Sequence, residues 1–157
     1  MKGKVGDLLK HLLHIITTIV YFVLLFIFDV APSLTFLKYF GFIFFGLGVT
    51  FLALSFVGQH RKEEGSIIDQ GVYGIVRHPM YLGAILLFIA MGCFLPIWIM
   101  IVLAIINVVV VYSFIPLEEQ KNLEKFGDAY QSYVALVPRI DFITGFIRWL
   151  RRRKNRD

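Results

Sequence analysis

The sequence predicts an all-α, polytopic membrane protein with four transmembrane helices, and three observations predict it. Of 157 residues, 58% are apolar and 16% aromatic, the 16 Phe dominating, where a soluble domain holds about 45–50% apolar and about 25% charged residues. The apolar residues fall in four continuous runs. The basic residues gather at the ends of those runs, as membrane proteins place them. A length of 157 residues gives room for a single domain.

The runs cover residues 12–30, 36–57, 79–95 and 97–115. A helix crossing the hydrocarbon layer needs about 20 apolar residues, within about 17–25, and the third run is the shortest. None alternates apolar and polar residues as barrel strands do, so helices must satisfy the backbone in lipid. The N-terminus has the outline of a signal peptide, but its apolar run is longer than an h-region. It is read as a retained first span.

Lys and Arg number three before the first run, one (Lys38) at the outer start of the second, and three between the second and third. None lies between the third and fourth, and nine follow. With four spans, 15 of the 16 share one face, which the positive-inside rule makes cytoplasmic together with both termini. The net charge of +5 therefore points to a membrane surface and not to nucleic acid. Cys93, the single cysteine, excludes an intrachain disulfide and a thiolate metal cluster, and reads as a packing residue.

Runs three and four are joined only by residues 92–96, so they form an antiparallel helical hairpin. The start of one and the end of the other then lie side by side at the cytoplasmic interface. Residues 71–83 read GVYGIVRHPMYLG. Pro79 suits a first helical turn and His78 the cap position. Arg77, His78 and Tyr81 place a cation, an imidazole and a phenol at one helix mouth, a set that would also serve as a positive-inside Arg, a cap and an interfacial Tyr. After run four comes FIPLEEQKNLEKFG, with Glu118 and Glu119 following Pro116. Ionisable groups at a membrane edge need partners or water, and Arg77 and His78 are within the hairpin's reach.

Leu123, Phe126, Tyr130 and Tyr133 recur at helical spacing, interrupted by Gly127. That face either packs on the hairpin as a lid or lies on the bilayer. Pro138 ends the segment. The tail DFITGFIRWLRRRKNRD sets Phe142, Ile143, Phe146, Ile147 and Leu150 against Arg148 and four consecutive cations. It reads as a surface-lying amphipathic helix that anchors the chain to anionic headgroups.

RHPMY, a span, an acidic pair, FG, two tyrosines three apart and VPR together resemble the isoprenylcysteine carboxyl methyltransferase and phospholipid methyltransferase superfamily of integral membrane enzymes. The likeness covers residues 59–139. It implies an enzyme that binds S-adenosylmethionine at the cytoplasmic mouth of the last hairpin and releases S-adenosylhomocysteine. By that likeness Tyr73, His78, Pro79, Met80 and Tyr81 contact the cofactor, Glu118 binds it, and Gln59 stands at the start of the cofactor loop. Residues 66–68 fall where backbone contacts to it occur. Glu119 and Arg77 are the catalytic candidates, and Tyr130, Tyr133 and Arg139 complete the pattern. In the carboxyl methyltransferases an arginine one turn before the first glutamate engages the substrate carboxylate; here that position is Phe114.

Methyl transfer from a sulfonium asks for alignment and exclusion of water more than for acid or base chemistry. Carboxylates and tyrosine faces suit a cationic cofactor, and an amine acceptor would add a base, Glu119 or His78. The expected acceptor is lipophilic and drawn from the bilayer: an isoprenylcysteine-like carboxylate, a phospholipid amine or a related small lipid. Two other readings share the pattern: an NADPH-dependent sterol- or isoprenoid-type reductase, which lacks the Glu-Glu pair, and a non-enzymatic membrane assembly protein.

Overall fold

A computed structural model describes residues 2–27, 35–60 and 66–154; the last residues of the first predicted span, 28–30, and the loop at 61–65 lie outside them. Among the described residues the chain is all-helical: α1 (Lys2–Ile27), α2 (Leu37–His60), a 3-10 turn (Gly71–Gly74), α3 (Pro79–Phe94), α4 (Trp98–Phe126), α5 (Asp128–Leu136) and α6 (Phe142–Lys154). Two of them, α2 and α4, are long and apolar enough to cross a membrane. Leu9–Val20 within α1, and α3, are shorter apolar helical stretches.

The boundaries follow from local chemistry. Pro79 opens α3, where its missing N–H costs nothing. Leu82 N–H then donates to His78 O over 3.0 Å. Pro116, expected to mark the end of the fourth run, lies inside α4, which runs on to Phe126. Glu118 and Glu119 therefore sit on a helix, about 100° apart around its axis. Gly127, at φ +54°, separates α4 from α5, a conformation that favours glycine. Residue 137, before Pro138, is extended, as the proline ring requires.

The chain groups into two compact units, Met1–Gly48 with Ala84–Ser113, and Val49–Gly83 with Phe114–Asp157. In the first, Leu95, Met100 and Ala104 form a core against which Leu24 and Met91 pack. A polar knot joins α1 to α4 there. The Oδ1 of fully buried Asn107 accepts from Thr17 Oγ1 at 2.8 Å and pairs with His14 Nδ1 at 2.9 Å, while its Nδ2 donates to Leu103 O. An amide oxygen only accepts, so His14 carries its proton on Nδ1. The knot leaves none of Asn107's polar atoms unmet, which a low-dielectric interior demands.

In the second unit Tyr130, Tyr133 and Val137 pack with Ile67 and Phe126. The helical face running from Leu123 to Tyr133 thus divides at Gly127. Its tyrosines turn inward while Leu123 stays 40% exposed. The tail helix α6 is likewise more than a surface anchor. Asp141 Oδ1 accepts from Thr144 N–H at 3.0 Å and caps the helix, and the Thr144 side chain together with this N–H holds the Asp141 carboxyl below its usual pKa. Phe142 meets Phe51 edge-on at 5.3 Å, and Arg152 Nη2 donates to Gly74 O at 2.7 Å.

Gly145 is the contact point, because a Cβ there would run into Ile75 O. Alanine would gain about 1 kcal/mol of helix propensity, but a backbone oxygen cannot yield as a side chain does. Gly145→Ala should be destabilising by about 1–3 kcal/mol and lower the thermal midpoint. Gly46→Ala, with no heavy atom in the way, should leave it unchanged or raise it.

Candidate functional site

The polar residues of the second unit converge on one carboxylate. Glu119 Oε1 pairs with Arg77 Nη2 at 2.9 Å and with His78 Nε2 at 3.3 Å, and Arg139 Nη2 reaches Oε2 at 2.7 Å. Arg139 Nε also donates to both oxygens, at 3.2 and 3.0 Å, which makes the pairing bidentate. The sequence expectation of an acidic group meeting Arg77 and His78 holds for Glu119. Arg139 joins them as a partner the sequence reading left without a role.

Main-chain bonds bring Arg139 in. Arg77 N–H donates to Pro138 O at 2.9 Å and His78 N–H to Arg139 O at 3.0 Å. These two amides precede and cap α3, so no turn of their own helix is available to pair them. The VPR segment supplies the missing carbonyls and delivers the Arg139 guanidinium in the same stroke.

Burial accounts for the state of His78, and the surrounding charges allow it. Arg77 and Arg139 balance Glu118 and Glu119, so the group is neutral only with an uncharged imidazole. His78 is 4% exposed, and burial pushes its pKa below the usual 6.5, against the opposing pull of Glu118 and Glu119. A neutral ring facing a carboxylate must carry its proton on Nε2, which leaves Nδ1 as an acceptor.

Glu118 points another way. Its carboxylate lies beside the Tyr81 phenol, and among the described residues no cation forms an ion pair with it, whereas Glu119 pairs with three nitrogen-bearing side chains. Arg77 is correspondingly under-used: with its side chain 7% exposed, its Nε and Nη1 have no hydrogen-bond partner.

Tyr73 forms a second centre. Its hydroxyl accepts from Gln59 Nε2 at 3.1 Å, and its carbonyl accepts from Tyr133 O–H at 2.7 Å. Burial raises its pKa, so the phenol is neutral. Gln59 Nε2 also approaches Met80 Sδ at 3.9 Å, which brings Gln59, Tyr73 and Met80 together. The Tyr73 ring lies where a Cβ on Gly58 would be, at 2.9 Å, so glycine is needed for the approach. Beside it a cavity of about 570 Å³ is lined by Leu54, Val57, Gly58 and residues 66–72. Pro79 is fully buried beneath the helix mouth.

A phospholipid methyltransferase family model matches residues 17–129. The chain belongs to that family. The match takes in Gln59, Tyr73, residues 77–81, Glu118 and Glu119, and stops short of Arg139 and α6. No curated protein and no solved structure gives a match. The family is one of methyltransferases acting on lipid-related substrates, which favours group transfer over reduction for this chain and associates it with the membrane.

Two outcomes follow. Removing Glu119 strands the buried Arg77 charge, so Glu119→Ala should cost about 3–5 kcal/mol. Arg139, 45% exposed, should cost about 1 kcal/mol or less as Arg139→Ala; chemical denaturation in detergent gives the comparison. Because the folded His78 pKa is depressed, the unfolded chain binds the proton first. His78 therefore contributes full stability above about pH 6.5 and loses it as pH falls toward the folded value. Between about pH 7.5 and about pH 5.5 the thermal midpoint of the wild type should drop further than that of His78→Gln.

Proposed function

We propose that the protein transfers a methyl group from S-adenosylmethionine to a lipophilic acceptor at the cytoplasmic membrane face, using the cluster around Glu118 and Arg77. The observation that carries this reading is complementary vacancy. Among the described residues Glu118 is a carboxylate with no cation paired to it, and Arg77 is a buried cation with two nitrogens unmet. A zwitterionic amino acid moiety with a nearby sulfonium suits that pair, its cationic end at Glu118 and its carboxylate at Arg77. Tyr73, Tyr81 and Met80 add aromatic and thioether surface beside them. The cofactor, when bound, supplies an electrophilic methyl group.

In this reading the chain's own residues bind, orient and exclude water. Glu119 has its oxygens occupied by Arg77, His78 and Arg139, so it acts by positioning Arg77 rather than as a free base. A proton from an amine acceptor would go to His78 Nδ1, the lone pair left by the neutral tautomer. Gln59 steadies the Tyr73 hydroxyl, and residues 66–68 border the neighbouring cavity. Pro79 sets the helix start that aims His78 and Tyr81. With Phe114 in place of a carboxylate-binding arginine, the open nitrogens of Arg77 taken by the cofactor's carboxylate and Arg139 paired with Glu119, a phospholipid amine or neutral lipid fits better than an isoprenylcysteine carboxylate.

Four spans with cytoplasmic termini accompany this proposal. Support for the α3–α4 hairpin comes from both ends: Met91 packs on Leu95 and Met100, and His78 meets Glu119.

The test is incorporation of labelled methyl from S-adenosylmethionine into total lipid extract by the full chain in bilayers. Glu118→Ala should lose about 10- to 100-fold, the worth of a charge-assisted contact of about 1.5–3 kcal/mol, while Lys125→Ala should match the wild type. Equal incorporation by Glu118→Ala would remove the site assignment. A thermal shift with NADPH and none with S-adenosylmethionine would overturn the reaction class.

A further inference from the structure

α6 presents two faces with different tasks. One is fastened to its own unit: Gly145 abuts Ile75 O, Trp149 lies 3.5 Å from where a Cβ on Gly74 would sit, Phe142 meets Phe51, and Arg152 bonds Gly74 O. The other is unpartnered. Ile143 is 74% exposed, and Ile147 and Leu150 are each 46% exposed. At 100° per residue these three fall on one stripe, pointing away from Gly145 and Arg152. Exposed Arg151 borders that stripe and exposed Lys154 stands at its end, while exposed Arg148 lies further round the helix and also feels Asp141.

Depth identifies the occupant. Phe51 lies six residues inside the predicted end of the second span at 57, or about 9 Å at 1.5 Å per residue. Its ring contact with Phe142 puts the start of α6 at the depth an interfacial helix reaches, about 5–10 Å below the headgroups. An apolar stripe at that depth with cations along its border matches the acyl boundary of an anionic bilayer. We propose that α6 docks on anionic phospholipid and that this docking steadies the Gly71–Gly74 turn, making the segment that carries Tyr73 sensitive to lipid charge. Arg152 and Gly145 are the couplers, because they join α6 to the backbone of residues 74 and 75.

The experiment uses the full chain in nanodiscs and needs no methyl donor, so it fails or succeeds independently of the reaction proposed above. In a Trp98→Phe background Trp149 is the remaining tryptophan. Discs of phosphatidylcholine are compared with discs holding about a third phosphatidylglycerol, and the anionic discs should cut acrylamide quenching of Trp149 roughly two-fold or more. Hydrogen exchange of the unsubstituted chain at 66–75 should slow in parallel. The triple variant Arg148→Gln, Arg151→Gln, Lys154→Gln should keep the wild-type midpoint in phosphatidylcholine and lose both responses. Arg152→Ala should keep the quenching response but lose the slowed exchange.

Identical quenching and exchange in the two lipids would overturn the proposal. Protection by millimolar inorganic phosphate in phosphatidylcholine discs would make the ligand a soluble anion, and protection that rises with copies per disc would make it a second chain; either result overturns membrane docking. Slowed exchange persisting in Arg152→Ala would overturn the coupling.

Discussion

The carboxylate of Glu119 holds together segments that are far apart in the chain. Arg77 and His78 come from the entry to α3, Glu119 from the far half of α4, and Arg139 from the stretch after α5; all three nitrogen-bearing side chains meet the same two oxygens. A buried pair of this kind is costly to desolvate, and its attraction offsets that cost only when the remaining donors and acceptors are also met. The backbone bonds from Arg77 and His78 to residues 138 and 139 meet most of them. The two N–H-bearing atoms of Arg77 left over are the exception, and exceptions in an otherwise satisfied network point to function.

This arrangement separates two glutamates that the sequence presents as a pair. Because α4 continues through Pro116, neighbouring residues diverge by about 100°. Glu119 turns into the arginine clamp and Glu118 turns to Tyr81. One carboxylate is occupied by three basic side chains, and its neighbour pairs with none of them among the described residues. Phospholipid methyltransferases act on lipid-related substrates, and a site at a helix mouth, with a cavity bounded by the tip of α2 and residues 66–72, suits chemistry performed where bilayer and water meet. α6 holds the same turn through the backbone of residues 74 and 75 rather than through side chains of the site.

Much of the fold was legible because lipid imposes a simple rule. Long apolar runs must be helices, and Pro79, Gly127 and Pro138 punctuate them by backbone sterics alone. The start of α3 at Pro79 and the shared helical face of Tyr130 and Tyr133 follow from spacing, whereas the burial of that face was decided by packing. The buried Asn107 with His14 and Thr17 was not legible, since a single polar residue in an apolar run carries no mark of its partner, and those partners lie 93 and 90 residues away. Arg152 reads as one cation among several in the tail, yet only it reaches Gly74 O. Nothing in a basic run says which member turns inward.

The sequence by itself determined the class of the protein, its helices, and the set of residue types from which the site is built. Composition, periodicity and motif order are local properties, and each is written in consecutive residues. The tertiary structure decided which of those residues touch: that Arg139 clamps Glu119, that no described cation pairs with Glu118, and that Gly145 lets α6 reach the Ile75 backbone. Such contacts join positions tens of residues apart, and they form only where packing brings opposite charges and unmet backbone donors within about 3 Å of one another.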